Sequence, residues 1–408
     1  MKNLILCSLL LLASLVHASD TVVYNFSSGS GTGTSGYQPN IGNYLTISDN
    51  SLKMIGTTPY GGPGGNGTVY QIDSSGNFSV LTSDFGGHGF QPMTPAISNG
   101  TGAFIGTTSR CTSCSGVIYR ISGGTTTELY TGLSGNAEGD LGIVPCSSAS
   151  IHNCLVGTTN SGGANSLGSI WQFDLNSNTF STLYSFASSD GSNPESGVTT
   201  VAKKINNITH NYVMGTSFNG GANSDGTIWQ YDLTSSTFTK LHDFTGTDGK
   251  NPQAAPLIIP YYNVGGGISG WDLWGTATGG GTSSEGTLWE IPNGGSFAKK
   301  HDFNGSEGHN PYGSIFFWTL GSSDTAIVGT TFSGGANGDG TIWYWDMTLS
   351  ALTDYYDFTG GTTDGYQPFS NVLPFNSLWY VATQYGGSGG NCHLSQTGCG
   401  TVVSVTAP

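Results

Sequence analysis

The chain has 408 residues, a formal net charge of −15, 9% charged and 12% aromatic residues, and 66 glycines. The negative charge argues against nucleic acid or an anionic membrane surface as a partner. The aromatic content argues against disorder, because disordered segments are poor in aromatic residues. A chain with so many glycines and so few charges is expected to carry many exposed turns around a sizeable core.

The first 18 residues have the pattern of a secretory signal peptide. Lys2 precedes an apolar run from Leu4 to Val16, and Ala18 supplies the small residue expected before the cleavage point. The run is too short to span a membrane, and no later stretch approaches the roughly 18 apolar residues that a spanning helix needs. We therefore expect an exported protein, periplasmic or extracellular, whose residues 19–408 form a single domain.

Six cysteines remain after removal of the signal peptide, and they fall into closely spaced pairs. An even number of cysteines in an exported chain predicts disulfides. The expected pairs are Cys111 with Cys114, Cys146 with Cys154, and Cys392 with Cys399. A redox or metal role for Cys111 and Cys114 is disfavoured, because a structural zinc site needs four ligands that come together.

A Gly-Thr dipeptide ends a short apolar run in each of seven repeats. The copies are Gly56-Thr57, Gly106-Thr107, Gly157-Thr158, Gly215-Thr216, Gly275-Thr276, Gly329-Thr330 and the degenerate Ala382-Thr383. Successive copies are 50 to 60 residues apart. This period is too long for a solenoid coil and suits a four-stranded propeller blade.

The fifth repeat shows four strand-like segments, at residues 255–261, 272–277, 286–291 and 297–303. The first is uniformly apolar and is predicted to line the axis, whereas the last contains Lys299 and Lys300 and is predicted to be outermost. No segment shows sustained helical periodicity with capping signals, so we predict an all-β protein.

The two ends of the chain are out of phase by one strand. Residues 21–26 match the outermost strand alone, and residues 401–405 match a third strand with no fourth after it. We therefore predict a seven-bladed β-propeller of four-stranded antiparallel blades, in which residues 21–26 join the last blade and close the ring. The predicted blades span 38–85, 91–132, 140–186, 193–244, 251–303, 310–358 and 367–406 together with 21–26.

The loops that lead into the innermost strands share the motif Gly-x-Asn/Gln-Pro, from which only Gly139-Asp140-Leu141-Gly142 departs. One hypothesis makes the amides, with neighbouring aromatic residues and a histidine, a ligand-binding ring at the mouth of the channel. Its members are Tyr37, Gln38, Phe90, Gln91, Asn193, Asn251, His309, Asn310, Tyr366 and Gln367. The favoured alternative is structural: a motif present in nearly every repeat turns the chain and caps loop backbone groups.

Carboxylates also recur about once per loop, at Asp190, Asp225, Asp248, Glu285, Glu307, Asp339 and Asp364. A calcium site needs six to eight converging oxygens, so turn formation is the better interpretation, and no metal or cofactor is expected. The His242-Asp243 and His301-Asp302 pairs resemble acid/base partners. They lie on predicted outer strands, which favours a structural role.

The unit at residues 241–252, followed by Leu273-Trp274-Gly275-Thr276 and Gly286-Thr287-Leu288-Trp289, resembles the GloVer repeat of exported bacterial proteins. The resemblance covers essentially the whole mature chain. It implies a bacterial, exported protein with kelch-like propeller organisation, and it brings no activity and no catalytic residues.

Our leading hypothesis is a non-enzymatic, monomeric, secreted propeller that binds a glycan or an extracellular or cell-surface protein through its loop-rich face. The alternative is a secreted hydrolase or lyase with an acidic site over the channel. That alternative requires two carboxylates, or one carboxylate and His309, close together at the mouth. A third possibility is a structural component of the envelope.

Overall fold

The computed structural model describes residues 20–27, 35–48, 51–73, 75–85, 89–100, 102–111, 116–146, 152–320, 324–375, 377–393 and 396–408. The predicted signal peptide lies outside these residues. The described part of the chain consists of strands, turns and loops without an α-helix, as predicted. It contains no helix that is long and apolar enough to cross a membrane.

Strand β1 covers Asp20–Asn25, and the first three blades follow it in the chain. Blade 1 consists of β2 (Asn40–Ser48), β3 (Ser51–Thr58), β4 (Thr68–Asp73) and β5 (Phe78–Thr82). A two-stranded ribbon of β6 (Gly89–Phe90) and β9 (Arg110–Cys111) accompanies blade 2, which consists of β7 (Ile97–Ser98), β8 (Phe104–Thr107), β10 (Ile118–Ser122) and β11 (Thr125–Tyr130). Blade 3 consists of β12 (Gly142–Pro145), β13 (Asn153–Thr159), β14 (Ser169–Asp174) and β15 (Thr179–Ser185).

The remaining four blades complete the ring. Blade 4 consists of β16 (Thr199–Ile205), β17 (Ile208–Ser217), β18 (Thr227–Asp232) and β19 (Thr237–Asp243). Blade 5 consists of β20 (Leu257–Tyr262), β21 (Ile268–Ala277), β22 (Thr287–Ile291) and β23 (Ala298–Asp302). Blade 6 consists of β24 (Phe316–Leu320), β25 (Asp324–Thr331), β26 (Thr341–Asp346) and β27 (Ala351–Asp357). Blade 7 contains β28 (Tyr366–Pro368), β29 (Leu373–Phe375), β30 (Leu378–His393), β31 (Gln396–Gly398) and β32 (Thr401–Thr406), with β1 at its outer edge.

The first strand of each blade lies next to the central axis. Strand β16 contacts β12 and β20, β20 contacts β24, and β2 contacts both β7 and β29, so these strands lie beside one another around the axis. The strands of blades 1 to 6 are antiparallel and follow chain order from the axis outward, whereas the outermost strand of blade 7 is β1. The predicted order of the strands is confirmed, but the innermost strand of blade 4 carries Lys203 and Lys204 and is therefore not uniformly apolar.

Ring closure by the N-terminal strand is also confirmed. Strand β1 pairs antiparallel with β32, with Val22 opposite Val403 and Asn25 opposite Thr401. The next residue, Phe26, is fully buried and contacts Tyr70 of blade 1 edge to face at 5.1 Å. Because β1 covers the outer edge of β32, it supplies the outermost strand of blade 7, inside which lie β32, then β30, then β28 and β29.

The glycine of the repeated Gly-Thr dipeptide is explained by the aromatic residue opposite it. Gly215 pairs with Trp229, and a Cβ on Gly215 would lie 2.4 Å from Cζ2 of that buried indole. Gly275 and Gly329 face tryptophans in the same way. In blade 7 the residue opposite is Val402, which is smaller and leaves room for the side chain of Ala382.

The Cys146–Cys154 disulfide is present and joins residues whose Cα atoms are 4.9 Å apart. Cys399 is also disulfide-bonded. The side chains of Cys111, Cys114 and Cys392 lie outside the description, so the pairings predicted for them stay predictions. A disulfide is compatible with an exported protein.

Candidate ligand site at the mouth of the channel

The amides of the Gly-x-Asn/Gln-Pro motif connect neighbouring blades. Asn193 Nδ2 donates a hydrogen bond of 2.9 Å to the carbonyl oxygen of Asn160 in blade 3, while the Asn193 carbonyl accepts the N–H of Phe218 in blade 4. Asn251 and Asn310 donate equivalent 2.9 Å bonds to the preceding blade. All six motif amides have φ between 53° and 61°, a left-handed conformation that asparagine tolerates better than most residues.

The other predicted ligand residues surround these amides. Gln38 Nε2 donates to the hydroxyl of Tyr385 at 2.7 Å, and His309 Nδ1 lies 2.8 Å from Asn310 Oδ1. The rings of Tyr37 and Tyr366 stack on Tyr60 and Tyr385, Phe90 lies in β6, and Gln91 and Gln367 donate backbone N–H groups to Asn66 and Asp339. Ligand binding by these residues stays a prediction.

The third repeat has its motif at a different place from the Gly139–Gly142 segment that the sequence indicated. The carbonyl of Asn136 accepts the N–H of Asn160, which is the bond that the Asn193 carbonyl makes with Phe218 in the next blade. Asn136 is therefore the counterpart of the motif amide, and Ala137 replaces the proline. The Gly139–Gly142 segment lies further inward, and the amide is not missing from this repeat.

The residues one to three positions after this motif line a cavity, at which the loops of six blades converge on the axis. It has a volume of about 110 Å³, which is below the usual range for small-ligand sites, and it opens to solvent. Its lining is formed by Met93, Thr94, Glu138, Gly139, Asp140, Glu195, Ser196, Gln253, Ala254, Tyr312, Gly313, Ser314, Phe369 and Asn371. Among the residues that the structure describes, none of the ten predicted ligand residues lines this cavity. Gln38 lines a smaller neighbouring cavity that shares Met93 and Phe369 with it.

One side of the cavity is acidic. Glu138 accepts a hydrogen bond of 2.9 Å from Asn160 Nδ2, and Glu195 accepts one of 2.8 Å from Gln253 Nε2. Burial, followed by the negative charge of Glu195, raises the pKa of Glu138, and burial raises the pKa of Glu195. The two glutamates are thus close enough to repel each other and are held by neutral amides.

The opposite side of the cavity is aromatic. The ring of Tyr312 lies 5.4 Å from that of Phe369 and contacts Phe332 edge to face at 5.1 Å. Burial, followed by the charge of Glu195, raises the pKa of the Tyr312 phenol. The side chain of Gln253, in blade 5, lies between the acidic and aromatic sides.

A polar contact across the axis forms the floor. The side chain of Asn371 in blade 7 hydrogen-bonds Asp140 in blade 3, and its Oδ1 accepts the buried N–H of Ser314 in blade 6. Burial raises the pKa of Asp140 to about 6, although the bond from Asn371 opposes the shift. Below this floor the channel is mostly apolar, with Ile315 and Val372 in its lining.

One hydroxyl in the lining has no hydrogen-bond partner among the described residues. Thr94 is 4% exposed, and its Oγ1 is buried without a partner. At the same position of their repeats, Ser196 and Ser370 accept the N–H groups of Thr216 and Ala382. Thr94 therefore differs from Ser196 and Ser370 in having a hydroxyl without a hydrogen-bond partner among the described residues.

Four of the seven carboxylates spread around the ring contact a side chain of an outermost strand. Asp190 accepts the hydroxyl of Tyr184 at 2.5 Å, and Asp248 lies 3.1 Å from His242 Nε2. The pairs Tyr356–Asp364 and His301–Glu307 repeat this arrangement. His242 therefore contacts Asp248 of the following loop, and a tyrosine or histidine makes the same contact in four repeats.

The residues that line the cavity were missed because they follow the shared motif and differ between repeats. The position after the proline is Met93 in blade 2 and Glu195, Gln253, Tyr312 and Phe369 in blades 4 to 7, and Glu138 holds the same position after Ala137 in blade 3. A search for variation at a fixed repeat position would have found them. In a closed ring, such a position brings a different side chain from each blade to one point on the axis.

Solved structures of similar fold include the BP39L lectin from Burkholderia pseudomallei, with 10% identity, a TM-score of 0.53, and coverage of 90% of this chain and 99% of that chain. The oligogalacturonate lyase from Vibrio parahaemolyticus matches with 11% identity, a TM-score of 0.49, and coverage of 96% and 98%. At these identities the likeness to the lectin shows the fold alone. A search of curated protein sequences finds no match.

The model of one repeat family matches the chain twice, over residues 15–213 and 203–395. These two matches cover nearly the whole chain, and they confirm the resemblance seen in its repeats. The protein belongs to the Gloeobacter/Verrucomicrobia repeat family.

Proposed function

We propose that this protein binds a carbohydrate in the cavity at the mouth of its channel, after export from the cytoplasm. The observation that carries the proposal is the placement of Tyr312 and Phe369 opposite Glu138, Glu195 and Gln253 in one cavity. Sugars present apolar C–H faces between rings of hydroxyl groups. Aromatic rings provide an apolar surface for such a face, while carboxylates and amides accept and donate hydrogen bonds.

Export is supported by the pattern of residues 1–18 and by the Cys146–Cys154 disulfide. The cavity also draws its lining from six blades, so small changes in separate repeats alter the site without altering the fold. Both features suit a secreted protein whose ligand is a component of its surroundings.

The test is a glycan array on the mature chain, followed by calorimetry with any glycan that binds. We expect Tyr312→Ala and Phe369→Ala each to weaken binding at least about tenfold, the loss expected when roughly 1.4 kcal/mol of contact is removed. Tyr262→Ala, at an exposed tyrosine at the far end of β20, serves as the matched control. Absence of any bound glycan, or equal affinity in all three variants, would contradict the proposal.

A second candidate is hydrolysis or elimination at the same cavity. It is favoured by Asp140, whose pKa burial raises to about 6, because a carboxyl group that keeps its proton near neutral pH can act as a general acid. Burial also raises the pKa values of Glu138 and Glu195. An enzyme of this kind would release reducing ends or unsaturated products from a panel of soluble polysaccharides. Its turnover would disappear in Glu195→Gln, whereas a binding protein shows no turnover in any form.

A further inference from the structure

The carboxylates of the cavity lack a cationic partner in its lining. Glu138 and Glu195 are hydrogen-bonded by the neutral side chains of Asn136, Asn160 and Gln253. The lining contains no lysine, arginine or histidine among the described residues. Arg110 lowers the pKa of Glu138 only as the weakest of its influences, and its own side chain is exposed. Two glutamates that repel each other in a partly buried site are stabilised by a cation between them.

A single metal ion does not fit this arrangement. Among the described residues, the one group of three possible ligand atoms within 4.8 Å of one another is Cys146, Cys154 and Asp174, and its cysteines are joined in a disulfide. Calcium or magnesium would need several oxygens converging at about 2.0–2.6 Å. The carboxylates of the cavity are therefore suited to a ligand that is larger than an ion and reaches them separately.

The unpartnered hydroxyl of Thr94 indicates a ligand independently of the acidic residues. A buried hydroxyl without a hydrogen bond is costly, and the serines at the same repeat position in blades 4 and 7 are fully bonded to the backbone. Thr94 lies in the lining of the same cavity as the glutamates. A ligand that occupies the cavity and offers a polar group on that side would satisfy it.

The aromatic side of the cavity also favours a positively charged ligand. The faces of Tyr312 and Phe369 attract cations as well as apolar C–H groups. Carboxylates on one side and aromatic rings on the other thus favour a ligand that is both cationic and ring-shaped.

We infer that the ligand is a glycan carrying free amino groups, with an ammonium group at Glu138 and Glu195 and a sugar ring against Tyr312 and Phe369. This inference rests on the proposed carbohydrate-binding function and names the class of carbohydrate. Thr94 binds a hydroxyl or amino group of the same ligand.

The test compares three soluble tetrasaccharides by calorimetry on the mature chain at pH 7: the β-1,4-linked tetramers of glucosamine, N-acetylglucosamine and glucose. We expect the glucosamine tetramer to bind at least tenfold more tightly than the other two. Glu138→Gln and Glu195→Gln should each remove most of this preference, because glutamine keeps the shape of the side chain and loses its charge. Asp324→Asn, an exposed change of the same charge in blade 6, should leave it intact.

A variant at Thr94 provides a readout that does not depend on charge. Thr94→Val removes a hydroxyl that has no partner in the protein, so it should fold as stably as the wild type and bind the glucosamine tetramer more weakly. Equal or tighter binding of a neutral tetramer, or a preference that survives both glutamine variants, would overturn the inference and leave carbohydrate binding standing. If none of the three tetramers binds, the inference is overturned, and the glycan array then decides whether carbohydrate binding falls with it.

Discussion

The side-chain amide of Asn371 hydrogen-bonds the carboxylate of Asp140 across the central channel, joining blade 7 to blade 3. These residues are far apart in the sequence and lie on blades that are not neighbours. The side-chain oxygen Oδ1 of Asn371 also accepts a hydrogen bond from the backbone N–H of Ser314 in blade 6. One buried side chain therefore holds three blades together and forms the floor of the cavity.

We expect Asn371→Ala to destabilise the protein by about 1–3 kcal/mol, because it leaves the buried N–H of Ser314 and the carboxyl of Asp140 without their partner. Urea unfolding of the wild type and the variant measures the difference. Asn176→Ala, at an exposed turn position, is the matched control and should change stability by no more than about 0.5 kcal/mol. Equal stability of the two variants would show that the contacts of Asn371 contribute nothing to the free energy of unfolding.

The second prediction concerns the pH dependence of stability at Asp140. Its pKa in the folded state is raised from 3.8 to about 6, so between these values the folded protein binds more protons than the unfolded chain. Stability from this group is therefore present at low pH and is lost as pH rises through the window. A shift of about two units corresponds to roughly 3 kcal/mol at neutral pH.

Asp140→Asn removes this ionisation. We expect the stability of the variant relative to the wild type to rise by about 2–3 kcal/mol between pH 4 and pH 7, as measured by urea unfolding at each pH. A flat difference would mean that Asp140 ionises as readily in the folded protein as in the unfolded chain.

Much of the architecture follows from the sequence because propeller blades are local units. The 50–60-residue period, the Gly-Thr dipeptide and the outermost-strand motif at residues 21–26 each report on contacts within one repeat or between neighbours. The number of blades and the closing strand could therefore be predicted. The Asp140–Asn371 contact joins distant blades, and no local pattern of the sequence indicates it.

The cavity was harder to predict, because the residues that recur in all repeats are those with the same structural role in every blade. Asn193, Asn251 and Asn310 recur since each must adopt a left-handed turn and bond the preceding blade. Residues such as Glu195 and Tyr312 differ between repeats because each blade contributes a different side chain to the one cavity on the axis. Residues with a structural role therefore recur in each repeat, whereas the residues that line the cavity do not.

The third prediction tests the origin of the repeated glycine. Gly215→Ala would place a Cβ 2.4 Å from Cζ2 of Trp229, in a buried region where neither residue can easily move. We expect a loss of about 1–3 kcal/mol or more in urea unfolding. The converse change in blade 7, Ala382→Gly, should cost only about 0.5–1 kcal/mol, since Val402 leaves room there and the loss is mainly conformational.

A double-mutant cycle separates the contact from other effects of Gly215→Ala. Replacing Trp229 with valine imitates the Val402 of blade 7 and removes the indole that the new Cβ would meet. We expect the Gly215→Ala change to cost at least about 1 kcal/mol less in the Trp229→Val background. If its cost is the same in both backgrounds, the glycine is required for a reason other than the tryptophan.

The fourth prediction concerns ring closure by the N-terminal strand. Phe26 follows β1 in the chain and is fully buried, and it contacts Tyr70 at 5.1 Å and Phe78 at 5.7 Å, both in blade 1. Phe244 occupies the same place in blade 4, is also fully buried, and contacts Trp289 and Phe297 of blade 5. Removing either ring leaves a cavity between two blades, for which we expect a loss of about 3–5 kcal/mol in urea unfolding.

The comparison of the two variants is decisive because their positions in the chain differ. If β1 closes the ring, Phe26→Ala and Phe244→Ala destabilise the protein to a similar extent, although Phe26 lies near the start of the sequence. If the N-terminal segment were only a loosely attached tail, Phe26→Ala would remain within about 0.5 kcal/mol of the wild type while Phe244→Ala retained its full effect. The matched loss therefore measures how firmly a strand from the start of the chain holds the last blade against the first.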